Sequence, residues 1–535
     1  YNLEHRVLCR YNVRNGHKEG NNFIVTDTNL SLNPVLVQPL NGSPRYRALA
    51  DRIAEAVQTG RLTAGEQLPP VRELAYRLGI GPGAVARAYR MGVERGHLEA
   101  TVGRGTFVRP GDGPAFHLDA LLSTPSTETI DLRGNQAVDV GQDAEIGEAL
   151  QRLLTAHNGA PPLMGYRRRE DDLDAIETLT AWLREGGVPG ETERLLVTMG
   201  AQVGVIASLS LLSRGGSGIV LTGETLHPGL IDGVEALKLR LEPVAGDEEG
   251  LLPDALDAAL QRHRPDALQI SPTLQNPTLT LMGEARRREI AAVVRRHALP
   301  VVEDDVYGRL LRPHPVSFAT HVPELCWYVT SFSKCVAAGV RAGLVLTPPG
   351  RLVSTLRAYQ ALAHQTAWVV KALAAELVRG GEATRIEARV VADTGRRAAL
   401  TAEILGRFGA RTHPAASFAF LPLPEGWTAA EFLAATASVG VLLPPPMIYQ
   451  VSRNLPPFTR IALGGRSTQA ALTTGLHRIA QVLGEGPHPA DIATRGPAVL
   501  LGAAHGAGGA WPPARSVAQS SRIARLKKSV IGRIR

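Results

Sequence analysis

Apolar positions near the start of the chain repeat with the period of a helix and then, after a glycine, with that of a strand. From 44 to about 59, Leu49, Ile53, Ala56 and Val57 fall on one stripe spaced near 3.6 residues, and Gly60 closes the segment. A turn through Ala64, Gly65, Glu66 and Gln67 leads to Pro69 and Pro70, which suit the first turn of a second helix over 71–78 because proline needs no amide partner there. Gly79 and Gly81 separate it from a third helix over 82–95. Leu98 to Val102 and Thr106 to Val108, turned by Gly103, Arg104 and Gly105, then read as a short strand pair. The spacing therefore predicts a compact three-helix unit with a hairpin over 38–109.

Farther along, the pattern coarsens. Residues 110–130 are rich in Pro, Gly, Ser and Thr and read as a linker. Over 131–484, apolar runs such as LQIS (268–271), PVVEDD (300–305) and RAGLVLT (341–347) alternate with helical stretches such as EARRREIAAVVRRH (284–297). That alternation predicts an α/β domain whose strands run parallel and are joined by crossover helices. The ends lack both periods: 1–37 reads as a disordered extension without function, and 485–535 as a basic, low-complexity, disordered tail. The first residue is Tyr1 rather than Met, which suggests a trimmed or mis-started chain.

Composition narrows the class. A chain of 535 residues is too long for one core, and 44% apolar with 20% charged residues is a globular balance. No apolar run approaches the roughly 18 residues of a membrane helix, and no secretory signal opens the chain, so a cytoplasmic protein without membrane contact is expected. Cys9, Cys326 and Cys335 are too scattered for a disulfide framework or a zinc site and read as reduced thiols, with Cys335 acting as a small apolar residue. The net charge of +8 favours a polyanionic partner, and its placement says more than its size. Residues 38–109 carry eleven arginines against six acids, and the segment after Gly486 carries eight Lys and Arg against Asp491 alone.

The string GRLTAGEQLPPVRELAYRLGIGPGAVARAYRMGVERGHLEATVGRGTFV resembles the winged helix-turn-helix head of GntR-type regulators over essentially its whole length. The resemblance implies that the third helix lies in the major groove of double-stranded DNA and that the hairpin tip approaches the minor groove. Arg72, Arg87, Arg90 and Arg104 are then the candidates to grip phosphate or a guanine edge, which a guanidinium fork suits; a merely solvated basic surface is the plainer alternative for any one of them. Gly81 and Ala84 stand where that family usually has Ser and Thr, which removes a helix cap and a phosphate contact.

A second resemblance, to fold-type I aminotransferases, rests on separate motifs in the family's order. TSFSK (330–334) followed by VAAGVRAG offers Lys334 as the Schiff-base lysine for pyridoxal 5'-phosphate, with Ser331, Ser333 and Arg341 for its phosphate. EDDVY implies Asp304, rather than Asp305, opposite the pyridine nitrogen and Tyr307 on the phenolic oxygen, which Asn276 of SPTLQNPT would share. TMGAQVGV (198–205) implies a strand-to-helix turn whose amides at Ala201 and Gln202 hold phosphate. His227 stands where the family's ring-stacking tyrosine is usual, a smaller ring that can titrate. Gly165 and Tyr166 match the segment that reaches the partner subunit's phosphate, implying a homodimer; Arg460 in FTRIALGG would bind a substrate carboxylate. EDDLDAIETLTAWL departs from the family's pattern, leaving local packing there open.

Together head and body resemble the MocR-type branch of GntR regulators. That implies a fold-type I aminotransferase-like main domain with a mostly parallel sheet, flanking helices and a smaller C-terminal subdomain, behind a winged helix-turn-helix head. The implied function is transcription regulation, with an amine, an amino acid or the cofactor as the signal. The alternatives are an active aminotransferase carrying a DNA-binding head, and a scaffold that has lost its cofactor.

Overall fold

The computed structural model describes residues 36, 45–58, 62, 66–94, 97–101, 105–108, 129–156, 162–213, 218–452, 455–465 and 467–487. The chain divides into two compact units, Tyr1–Phe116 and His117–Arg535.

The first unit is built from α1 (Arg45–Gln58), α2 (Val71–Leu78) and α3 (Pro82–Glu94), followed by the antiparallel pair β1 (Leu98–Thr101) and β2 (Gly105–Val108), with Leu98 opposite Val108. The predicted stripe of α1 faces inward: Leu49, Ile53 and Ala56 pack with Leu74, Val85, Ala88, Leu98 and Val108, while Val57 is half-buried. Each leucine, isoleucine or valine of this set withdrawn from water contributes about 1.5–3 kcal/mol before chain entropy is counted. Leu36, from the extension expected to be structureless, is buried in the same core at 1% exposure; the rest of 1–37 lies outside the described residues, as do 488–535 of the tail and 110–128 of the linker. Gly79 takes φ 62 and ψ 34, where a side chain would be strained, and the Ile80 amide donates back to Ala75 at 3.1 Å, so the chain reverses sharply between α2 and α3. Pro70 sits in the cap position before α2 rather than in its first turn. Tyr89 of α3 donates to the Pro69 carbonyl at 2.8 Å and ties α3 to the entry of α2.

In the second unit the strands are β3 (Ile130–Asp131), β4 (Leu195–Met199), β5 (Ile219–Thr222), β6 (Arg240–Pro243), β7 (Gly246–Asp247), β8 (Gly250–Leu251), β9 (Ala267–Ile270), β10 (Val301–Asp304), β11 (Cys326–Ser331), β12 (Ala342–Leu346), β13 (Phe418–Pro422), β14 (Val441–Leu442) and β15 (Phe458–Ala462). Seven form one sheet in the order β4-β12-β11-β10-β9-β5-β6. The β6, β5, β9, β10 and β11 ladders are parallel, as the alternation predicts, but β12 runs antiparallel to both β11 and β4. The run at 341–347 therefore departs from the expected direction. Residues 332–341 hold only a 3-10 turn (Ala338–Val340) between β11 and β12, so the chain returns without the crossover a parallel partner needs.

Successive strand residues serve opposite faces. Leu196, Val220, Val302, Trp327, Val329 and Val345 pack toward the helix Ala201–Leu212, while their neighbours Val197, Leu221, Val301, Tyr328 and Leu344 pack toward the helices Leu173–Glu185 and Glu284–Arg296. Burial on both faces explains why these strands read as unbroken apolar runs. The divergent stretch at 170–183 folds as a 3-10 turn into the helix Leu173–Glu185, with buried Asp172 held by Arg167 at 2.7 Å and by Lys371.

A smaller lobe follows. The antiparallel pair β13 and β15 packs with the helices Glu382–Leu405, Ala429–Ser438 and Gln469–Glu485 around Leu421, Phe432, Ile461, Leu476 and Ile479. Short β14 pairs parallel with β3, so the start of this unit is stitched to its end. No helix among the described residues is long and apolar enough to cross a membrane.

Candidate functional site

In the large unit the parallel strands β10 and β11 end side by side, with Asp304 opposite Val329, and the polar residues at their carboxyl ends converge. Crevices at strand ends are the usual ligand sites of such sheets. Lys334 follows β11 and donates through Nζ to the main-chain carbonyl of Asn135. Burial, the Arg460 charge and the Arg341 charge lower its ammonium pKa to about 8, with Asp304 pulling the other way. The Asp304 carboxyl is raised to about 7 by burial and by the adjacent Asp305, and its Oδ1 is buried without a hydrogen-bond partner. Asp305 is committed elsewhere: it accepts from the Tyr328 hydroxyl at 2.9 Å and lies 3.1 Å from His314 Nε2. Against the cost of its burial, these two neighbours hold Asp305 below the ordinary carboxylate range.

Tyr307 is 3% exposed, and its hydroxyl accepts from Asn135 Nδ2 at 2.6 Å and also neighbours the Ser417 hydroxyl, while its own proton remains able to donate. Burial pushes that phenol up, so it stays protonated at any ordinary pH. Asn276, in the loop after β9, is buried with Oδ1 unpartnered. Ser331 closes β11, buried, and its Oγ accepts from the Ser333 amide at 3.4 Å; Ser333 itself is half-buried.

The helix Ala201–Leu212 begins at Gly200, where φ is 86, and no side chain caps it. Ala201 is buried and Gln202 exposed. A Cβ on Gly200 would stand 2.8 Å from Arg341 Nη2, so only glycine lets that guanidinium lie across the helix start. Arg341, itself in the left-handed region at φ 55, also donates to the Met199 carbonyl at 3.3 Å. First-turn amides without intrahelical partners, with a guanidinium beside them, make an anion-binding corner.

His227 precedes the helix Pro228–Ala236. Burial, then the nearby Lys334 and Arg460 charges, lower its pKa to about 3. The ring is therefore neutral throughout the ordinary range, and the titration that its residue type allows falls outside it. Arg460 on β15 is 3% exposed, donates to the Arg133 carbonyl, leaves Nε buried without a partner, and lies 5.5 Å from the Tyr449 ring centroid. Electrostatic influence among Lys334, Asp304, Arg341, Arg460 and His227 marks them as one neighbourhood. Tyr166 is not brought there within this chain: it is 81% exposed and stacks on His364 at 4.4 Å. Cys335, beside Lys334, is fully buried, and burial pushes its thiol up to about 12.

Two residues of this neighbourhood escaped the motif reading. Asn135 touches both Lys334 and Tyr307, and its Oδ1 accepts from Ser417 Oγ at 2.7 Å. Neither has a motif around it, and only the fold brings them to Lys334.

On the head, Arg87 and Arg90 are exposed on the face of α3 opposite buried Val85, Ala88 and Tyr89; Arg72 is exposed at the start of α2. The Arg87 guanidinium lies 4.2 Å from the Tyr46 ring centroid. Arg104 lies outside the described residues.

These two units match two known families. Residues 128–479 match aminotransferase class I and II, and residues 45–108 match bacterial regulatory proteins of the gntR family. The chain belongs to the aminotransferase class I and II family, fused to a gntR-type head, the pairing of the MocR-type branch. Among curated relatives, the uncharacterized HTH-type transcriptional regulator YdeF of Bacillus subtilis is 28% identical over 57% of this chain, and the match spans 65% of that relative's length. The HTH-type pyridoxine biosynthesis transcriptional regulator PdxR of Corynebacterium glutamicum is 26% identical over 61% of this chain and 71% of its own length. Among solved structures, the alpha-aminoadipate aminotransferase LysN of Thermus thermophilus, complexed with N-(5'-phosphopyridoxyl)-L-leucine, shares the fold with a TM-score of 0.60 at 22% identity, covering 69% of this chain and 94% of that one.

Proposed function

We propose that this protein is a transcriptional regulator of the cytoplasm, acting as a homodimer. Its head binds a double-stranded DNA operator through Arg72, Arg87, Arg90 and Arg104, and its large domain holds pyridoxal 5'-phosphate on Lys334 and senses an amine, an amino acid or the cofactor itself. The observation that carries the reading is the buried, unpartnered Asp304 Oδ1 beside Lys334, whose pKa is lowered to about 8, with a second unpartnered oxygen, Asn276 Oδ1, in the loop after β9. Buried polar atoms without partners are rare and point to an occupant.

The residues fit that cofactor. Asp304 would face the ring nitrogen, and Tyr307 and Asn276 the phenolic oxygen. The Ala201 and Gln202 amides, with Ser331, Ser333 and Arg341, would hold the phosphate, joined by Tyr166 of the partner subunit. His227 offers an uncharged flat ring, and Arg460 a guanidinium for a carboxylate on the effector. When bound, pyridoxal phosphate supplies an aldehyde carbon to amines and a ring that accepts electron density. With a pKa near 8, Lys334 has roughly a tenth of its amine unprotonated at pH 7, enough to attach and to pass a proton. For regulation, the effector must bind the DNA-competent and incompetent states unequally. The relative named for pyridoxine biosynthesis regulation supports this reading over a purely enzymatic one.

The test has two parts. Purified protein loaded with pyridoxal phosphate should show a visible absorption band, and borohydride should fix the adduct on Lys334. Footprints on the DNA upstream of its own gene, at two salt concentrations, should show a protected site that responds to amines; no protected site at either salt sinks the regulator. The near-complete cup also favours a second reading, an aminotransferase with a DNA-binding head. Exchange of amino groups between amines and keto acids, absent in Lys334→Ala, would favour that reading.

A further inference from the structure

Asn135 sits where three parts of the large unit meet. Its main-chain carbonyl accepts from Lys334 Nζ, its Nδ2 donates to the Tyr307 hydroxyl at 2.6 Å, and its Oδ1 accepts from Ser417 Oγ at 2.7 Å. Ser417 is 2% exposed and immediately precedes β13, and its carbonyl accepts from the amides of Leu463 at 2.8 Å and Gly464 at 3.2 Å, just beyond β15. The segment carrying Asn135 lies along β15 as well. The Ala462 amide donates to Leu132 at 2.9 Å and the Gly465 amide to Ala137 at 3.0 Å, while Arg460 holds the Arg133 carbonyl. Through one side-chain amide, the smaller lobe therefore grips the tyrosine that follows β10 of the large sheet.

We infer that Asn135 is a positioning residue: it fixes the direction of the Tyr307 proton toward the space beside Lys334, and so links the lobe that carries Arg460 to the Lys334 nitrogen. An amide N–H that occupies the tyrosine oxygen as acceptor obliges the tyrosine to donate elsewhere. Two acceptors are open to it: Ser417 Oγ, whose own proton goes to Asn135, and the cofactor's phenolic oxygen in the role assigned above. A ligand carboxylate at Arg460 competes with the Arg133 carbonyl, two residues from Asn135, so occupancy of the lobe reaches Tyr307 through this segment. The inference rests on the reading that Lys334 carries pyridoxal phosphate. The charged groups facing the spot are Asp304, Arg341 and Arg460, with neutral His227 beside them, and the substitutions below leave all four in place.

The readout is the pH titration of the visible band of the full-length, cofactor-loaded protein. A donor to the phenolic oxygen weakens the hold on the proton of the nitrogen that joins Lys334 to the cofactor, so losing the donor raises the apparent pKa of the band. Tyr307→Phe should raise it by about one pH unit, the scale of one hydrogen bond to a charged group. Asn135→Ala and Asn135→Asp should move it in the same direction, the aspartate because it turns the tyrosine proton onto itself. Combining Asn135→Ala with Tyr307→Phe should add nothing. Asn135→Leu, of similar volume, serves if Asn135→Ala does not fold; Ser417 is left unchanged because its hydroxyl neighbours Tyr307 as well as Asn135. If Tyr307→Phe shifts the band while the Asn135 variants titrate as wild type, the inference fails and the cofactor reading stands. If wild type shows no band and no borohydride adduct on Lys334, the reading beneath it fails instead.

Discussion

On the head, Arg72, Arg87 and Arg90 hold their guanidinium groups in solvent over a small apolar core. In the large unit, the Lys334 amine, the Asp304 carboxyl and the Arg460 guanidinium lie inside, where burial lowers the lysine to about 8 and raises the aspartate to about 7. Exposed charges cost a fold little and are worth little to it, whereas buried ones strain the fold that carries them. The difference teaches that head variants should alter binding with the fold intact, while cup variants should alter chemistry and stability together.

The largest effect belongs to the cup. Lys334→Ala should abolish the visible band and the borohydride adduct altogether, while binding to nonspecific DNA at low salt stays as in wild type; a persisting adduct would place the reactive amine elsewhere. Next comes the head. Arg87→Ala with Arg90→Ala should weaken operator binding by about 1–3 kcal/mol per lost base contact, tenfold or more, and should lower the salt slope if either contacts phosphate. The melting temperature and visible band should not move, and a falling melting temperature would erase the contrast between the two regions.

Asp304→Asn sharpens the comparison from inside. The folded pKa of Asp304, about 7, lies above the roughly 3.9 of an unfolded aspartate, so its contribution is fully present below pH 4 and is lost as pH rises through 7. Cofactor-free wild type should therefore lose about 3–4 kcal/mol relative to Asp304→Asn between pH 4 and 7.5, read by denaturant unfolding. Glu303, raised to about 8 by burial and by Asp305, drifts in the same direction in both proteins and cancels in the difference. Parallel stability curves would mean that Asp304 is not strained. The smallest effect is at Tyr46→Ala, which removes the ring beneath Arg87 and should cost operator binding about 0.5–1 kcal/mol, a few-fold, measurable by titration.

The head was legible because its core is local: the stripe of Leu49, Ile53 and Ala56 and the glycine at 79 lie within one short stretch, and side-chain period alone orients them. In the body, period revealed the strands but not their direction, since a buried strand reads alike whichever way it runs; β12 turned on the absence of a crossover helix. Asp304 was separable from Asp305 by spacing to Tyr307, and the geometry adds that Asp305 is occupied by Tyr328 and His314. Asn135 and Ser417 were invisible because they are 282 positions apart and each lies outside any motif. His227 read as a titrating ring, since residue type carries no information about the cations and the burial around it.

Leu36 has a practical bearing on how the DNA-binding unit is cut from the chain. Its side chain belongs to the same buried core as Leu49 and Leu74, although it lies well upstream of the first helical residue. A fragment begun at Arg45 would lack that filler, and vacating a buried leucine costs about 2–5 kcal/mol, a large share of what so small a unit has to spare. An isolated head intended for operator studies should start before residue 36.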